Sequence, residues 1–203
     1  MPSKERSALW ANPGEQGMLI ETEIKIPVSS LVEVRSSLLN AHAAPEGHVR
    51  LVDTYYILPA VEGGEHVVRI RGASTEKEAA ELTIKVPFAS EVEAVCRHEV
   101  SVGLRDPRAM HEILVLLGAR VAARVEKIRE MYIVSGVPVY LDDVAGLGRF
   151  IEIGAPVLPD MVPEMGQRIA TILRLLDLQD RPVSEKSYYE LAIEGEGKPQ
   201  ANH

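Results

Sequence analysis

The feature that most constrains this chain is a charge pattern with a period of two, first met in "MLIETEIKIP" at residues 18–27. Side chains alternate across a β-strand, so Glu21, Glu23 and Lys25 share one face there, while Ile20, Thr22, Ile24 and Ile26 share the other. The alternation then returns along the chain. "HVVRIRG" sets Arg69 and Arg71 against Val68 and Ile70, and "ELTIKVP" sets Thr83 and Lys85 against Leu82, Ile84 and Val86. "CRHEVSV" aligns Arg97, Glu99 and Ser101 opposite Cys96, His98 and Val100. Further on, "EKIREMYIV" aligns Lys127 with Arg129, "VYLDDV" aligns Tyr140 with Asp142, and "RFIEIG" places Glu152 opposite Ile151 and Ile153.

One strand of this kind is compatible with a half-solvated antiparallel sheet. A whole set of them raises the question of which face is inside. The segments "LVEVRSSLLNA" and "MHEILVLLGA" carry apolar stripes at helical spacing, and such stripes need a surface to cover. If they cover the aliphatic faces of the strands, the charged faces turn inward. The full reading is β 18–27, α 29–42, β 49–57, β 66–72, β 80–87, β 93–102, α 106–118, β 121–134, β 137–144, β 148–155, α 160–178 and α 184–194. Ser30 with Glu33 resembles a capping box, and Asp106 before Pro107 marks another helix start. "SGVP" and "AGLG" are turn chemistry between short strands. The expected fold is α+β: an eight-stranded, largely antiparallel closed β-barrel or tunnel with helices packed outside.

The inward faces then carry Lys25, Arg69, Arg71, Lys85, Arg97, Lys127 and Arg129 beside Glu21, Glu23, Glu99, Asp142 and Glu152. Buried charge is costly unless it is paired, hydrated or metal-bound. Basic groups in this number suit the oxygens of a polyanion. Carboxylates gathered beside them suit a hard divalent cation, Mg²⁺ or Mn²⁺. A triphosphate with a divalent metal satisfies both sets. The whole chain has a net charge of −8, which argues against a general affinity for nucleic acid or anionic membrane. Cys96 is the single cysteine, which excludes an internal disulfide and, with no Cys/His cluster, a structural zinc site. A cytoplasmic setting is expected. Residues 1–17 lack the apolar core of a signal peptide, and residues 1–17 and 195–203 are expected to be flexible segments around one domain at 18–194.

The ordered set "ETEIK", "DTYY", "RIR", "TIK", "RHE", "KIR", "LDDVAGLGRFIEI" and "KSYYELA" resembles the CYTH superfamily of triphosphate tunnel proteins, which includes class IV adenylyl cyclases and thiamine triphosphatases. The resemblance covers about residues 18–192, and its last two motifs are most similar to the class IV adenylyl cyclase branch. It implies a tunnel that holds a triphosphate-bearing small molecule, ATP foremost, with Mg²⁺ or Mn²⁺. It implies metal-binding roles for Glu21, Glu23, Asp142 and Glu152, with Asp142 as a ligand or an orienting group. Phosphate-binding roles fall to Lys25, Arg69, Arg71, Lys85, Arg97, Lys127 and Arg129, and catalytic roles to Lys25, Glu21 and Glu23. A homodimer is also in keeping with this branch. The implied reaction is ATP to cyclic AMP and pyrophosphate. The alternatives are hydrolysis of inorganic tripolyphosphate, a nucleoside triphosphate or thiamine triphosphate, and triphosphate or polyphosphate binding without turnover. Two positions depart from the family pattern: Gly154 stands where a second carboxylate follows Glu152, and Ser101 where a further acid is common on the fifth strand. His66, His98, Cys96, Tyr188 and Tyr189 are expected to be structural.

Overall fold

The computed structural model describes residues 19–59, 64–73 and 80–196. Eight strands close into one barrel: β1 (Leu19–Val28), β2 (Ala44–Pro59), β3 (Glu65–Ala73), β4 (Ala80–Pro87), β5 (Val95–Leu104), β6 (Arg120–Val134), β7 (Val137–Val144) and β8 (Gly148–Val157). Their order around the barrel is β1-β5-β4-β3-β2-β6-β7-β8, and every neighbouring pair is antiparallel. Closure leaves no open sheet edge. The β6–β7 connection is a two-residue hairpin in which Ser135 and Gly136 both have positive φ, 49° and 78°, the geometry that matches the twist of the flanking strands.

Among the described residues, four α-helices accompany the barrel: α1 (Leu31–Asn40), α2 (Pro107–Leu116), α3 (Val162–Leu175) and α4 (Tyr188–Glu196). The caps read from the sequence form. Ser30 accepts from the Val32 amide at 3.2 Å, and Asp106 accepts from Arg108 and Ala109 at 2.9 and 3.0 Å ahead of Pro107. Leu31, Val34 and Leu38 of α1, with Met165, Ile169 and Ile172 of α3, pack on Ile24, Ile26, Val139, Leu141, Ile151 and Ile153. Leu114 of α2 packs on Tyr56 and Ile70. The helices therefore cover aliphatic strand faces, and the charged faces turn into the barrel.

Two element starts differ from the sequence reading by four residues or more. β2 begins at Ala44 rather than 49, because a bulge between Pro45 and Gly47 lets the strand continue along β6. The last helix begins at Tyr188 rather than 184. Ser187 Oγ accepts from the Glu190 amide at 3.2 Å, and Glu190 accepts from the Ser187 amide at 2.7 Å, a reciprocal capping box that fixes the start. Residues 1–17, with Trp10, and residues 197–203 lie outside the described residues, while residues 195–196 of the segment expected to be flexible belong to α4. Among the described residues, no helix is long and apolar enough to cross a membrane.

Candidate active site: a charge-lined tunnel

A cavity of about 950 Å³ occupies the barrel. Its walls bring together Glu21, Glu23, Lys25, Arg69, Arg71, Lys85, Arg97, Glu99, Lys127, Arg129 and Glu152. Asp142 stands directly behind this wall, with 0% of its surface exposed. The sheet register explains much of the pairing, since Lys85 lies opposite Glu99, Arg129 opposite Asp142, and Lys25 opposite Glu152.

On the side formed by β3, β4, β5 and β1, the Lys85 ammonium touches Glu21 and lies 3.2 Å from Glu99. Ser101, where the family pattern has an acid, donates to Glu99 at 3.0 Å and lies 2.9 Å from the Thr83 hydroxyl. Arg69 donates to Thr83 at 3.0 Å and to Glu81 at 3.2 Å. Arg71 grips Asp53 with two bonds of 2.7 Å. On the β6–β8 side, Arg129 donates to both Asp142 oxygens at 2.7 and 2.6 Å and also touches Glu152. Lys127 reaches Asp142 at 3.1 Å, and Lys25 reaches Glu152 at 3.3 Å.

Burial raises the pKa of a carboxyl and nearby cations lower it, so the net direction shows which effect wins. At Asp53 burial acts upward, but Arg71, with Arg69 and Lys127 behind it, outweighs it and holds the group well below the ordinary range. Glu152 behaves likewise: Arg129, Lys127 and Lys25 together overcome its burial. Glu23 goes the other way, raised by burial and then by the Glu21 and Glu152 charges. Its nearest cation, Arg97, is 3.7 Å away. Lys127 is pushed down to about 8 by burial and by neighbouring Arg129.

The C-terminal segment completes the site. Ser184 donates its amide to the Lys25 carbonyl at 2.8 Å, and the Lys25 ammonium donates to the Lys186 carbonyl at 3.3 Å. From the start of α4 the Tyr188 side chain enters the barrel and donates its hydroxyl to Asp142 at 2.8 Å. Burial, with Glu152 and Asp142 close by, keeps that phenol protonated. The Lys186 ammonium turns outward to Glu194 at 2.7 Å. Tyr188 thus faces the charged lumen, a correction to the expectation that it only packs.

The CYTH domain family matches residues 19–188 of the chain. The chain belongs to the CYTH domain family. A Methanocaldococcus jannaschii protein provisionally named an adenylate cyclase is 30% identical over 96 residues, 47% of this chain and 55% of that relative. A solved Pyrococcus horikoshii protein superposes with a TM-score of 0.73 at 24% identity, over 85% of this chain and 99% of that one. A Hippeastrum protein, provisionally named an adenylyl cyclase and found to have a dominant triphosphatase activity, superposes with a TM-score of 0.60 at 18% identity, over 92% of this chain and 100% of that one.

CYTH membership implies a divalent metal, and the residues of this CYTH domain can be tested for it. Among the described residues, no three Asp, Glu, His or Cys side chains already surround one point as a cage. The chemistry of the acidic corner nonetheless fits a hard cation. Glu21 keeps one carboxylate oxygen buried without a hydrogen-bond partner, and the raised Glu23 beside it marks uncompensated negative charge. Asp142 is different, because its oxygens already accept from Arg129, Lys127 and Tyr188.

Among the polar residues that the sequence reading did not assign to the site are Asp53, Glu81 and Tyr188. Asp53 and Glu81 carry their signal in the alternation itself, each two positions from another inward residue, Tyr55 and Thr83. Tyr188 has no such signal, because its place depends on how α4 docks on the barrel.

Proposed function

We propose that this CYTH domain is a metal-dependent enzyme that converts ATP to cyclic AMP and pyrophosphate in its tunnel. The observation that carries the reading is one cavity in which Lys25, Arg69, Arg71, Lys85, Arg97, Lys127 and Arg129 face the carboxylates Glu21, Glu23 and Glu152. The likeness to the archaeal relative named as a cyclase supports the same choice. The arginines and Lys85 and Lys127 would bind the phosphate oxygens and hold the chain of phosphates in line for displacement. Glu21, Glu23 and Glu152 would hold Mg²⁺ or Mn²⁺, which when bound lowers the charge on the phosphates and polarises an oxygen at the reacting phosphorus. Asp142 takes the orienting role, fixing Arg129 and Lys127 from behind.

In the reaction the ribose 3′-oxygen forms a bond to the α-phosphorus, the bond from that phosphorus to the bridging oxygen breaks, and pyrophosphate leaves with that electron pair. The 3′-hydroxyl proton departs to solvent or to a carboxylate. Lys25, held between Glu152 and the Lys186 carbonyl, steadies the developing charge.

A second reading is hydrolysis of the terminal phosphate, for which the same cationic wall would serve; Gly154, which leaves the late strand one carboxylate short of the family pattern, bears on a third. A binding protein without turnover is favoured by the same residue. Incubation with ATP and Mg²⁺ or Mn²⁺, followed by product chromatography, separates the three. Cyclic AMP with equimolar pyrophosphate is the expected result. Orthophosphate release alone shows the hydrolase, and unchanged ATP with measurable binding shows the clamp without chemistry.

A further inference from the structure

The ammonium groups of Lys25 and Lys127 approach one aromatic ring, that of Tyr188, at 4.4 and 4.5 Å from its centroid. They come from different strands, β1 and β6, and both are almost fully buried, at 4% and 3% exposure. Among the described residues each has one carboxylate partner, Glu152 for Lys25 and Asp142 for Lys127. Both acids are shared with Arg129. Three buried cations thus divide two carboxylates, and the face of a buried phenol supplies negative potential that the acids do not.

We propose that Tyr188 is a positioning residue of the phosphate wall, its ring holding the Lys25 and Lys127 ammonium groups in the lumen where a triphosphate's oxygens would meet them. The inference rests on the triphosphate reading of the tunnel. The ring provides this hold without competing for the ligand. A carboxylate in its place would neutralise the lysines, whereas the quadrupole of an aromatic ring attracts them and leaves their N–H groups free to donate to phosphate. The Tyr188 hydroxyl fixes the ring by its bond to Asp142, and Phe150 packs against it edge-on at 5.2 Å between centroids. Because Tyr188 opens α4, docking of this helix and assembly of the two-lysine wall occur together.

The experiment measures tripolyphosphate binding by calorimetry, in Mg²⁺ and in its absence, for the whole chain and three variants. Tyr188→Leu removes the ring and is expected to weaken binding about tenfold or more, the loss of two buried cation–π contacts. Tyr188→Phe keeps the ring and is expected to bind within about threefold of the parent, by the same reasoning. Phe150→Leu loosens the packing around Tyr188 without touching either lysine; it should lower the melting temperature yet leave affinity near the parent value. Equal affinity for Tyr188→Leu and the parent overturns the proposal. So does a Tyr188→Phe or Phe150→Leu loss as large as that of Tyr188→Leu, since it would reduce Tyr188 to a packing residue. A parent chain that binds no tripolyphosphate overturns the triphosphate reading and this proposal together, whereas a binding parent with indifferent variants removes this proposal alone.

Discussion

Gly154 shows how much one residue can hide from a sequence reading. Beside the family pattern it is a missing carboxylate. In the barrel it has φ +148°, and a Cβ there would lie 2.1 Å from the Thr22 carbonyl oxygen and 2.6 Å from Glu23 Cα. The β8 backbone presses against β1 beside the Glu23 side chain that the proposed metal needs. No L side chain fits, so the acid is not simply exchanged for hydrogen; the backbone has taken a path that excludes it. Gly154→Ala is expected to cost about 3 kcal/mol or more, by the strain and overpacking mechanisms together, read as a lower urea midpoint at unchanged m-value. An unchanged midpoint would show that β8 can move away from β1. It follows that Gly154→Glu would not restore a family-like ligand pair, because the strand would have to shift first.

At the scale of elements, the lumen and the outer helices answer to different parts of the sequence. Strand periodicity, with the apolar stripes of α1 and α2, was enough to place charges inside, because period-two alternation specifies a face and closure leaves only two faces to assign. What periodicity could not show was the entry of a helix side chain into the lumen. Tyr188 reaches Asp142 from α4 across 46 residues of sequence, and nothing local announces that contact. The start of α4 was legible in principle, since Ser187-Tyr188-Tyr189-Glu190 is a capping box that sets it four residues later than the sequence reading. The early part of β2 was not, because Pro45 and Gly47 are turn residues by composition, and only pairing with β6 makes them strand. The division between layers is testable. Ile169 of α3 is 2% exposed and packs on the outer face of the barrel. Ile169→Ala is expected to lower unfolding stability by about 2–5 kcal/mol while leaving tripolyphosphate affinity within about twofold. A loss of affinity on the same scale as the loss of stability would mean that outer layer and lumen are one cooperative unit at the site.

For the whole molecule, the tunnel sets the acid limit of the fold. Asp53, Glu99, Asp142 and Glu152 are all held below their ordinary pKa by their cations. In the unfolded chain these groups take protons near pH 4, so they contribute stability above that value and lose it as pH falls toward their depressed folded values. The urea midpoint of the ligand-free protein should therefore be steady near pH 6 and fall steeply below about pH 4. A midpoint that rose on acidification would assign control to Glu23, whose raised pKa acts in the opposite sense. The tunnel also has a consequence for how a ligand arrives. With Asp53 and Glu81 included, every cation of the wall except Arg97 lies within 3.5 Å of a carboxylate oxygen, and Arg97 has Glu23 at 3.7 Å. A triphosphate entering this tunnel would meet every cation already beside an internal anion, so its binding would be an exchange of counter-ions within the barrel, governed by how readily the protein's own carboxylates let go.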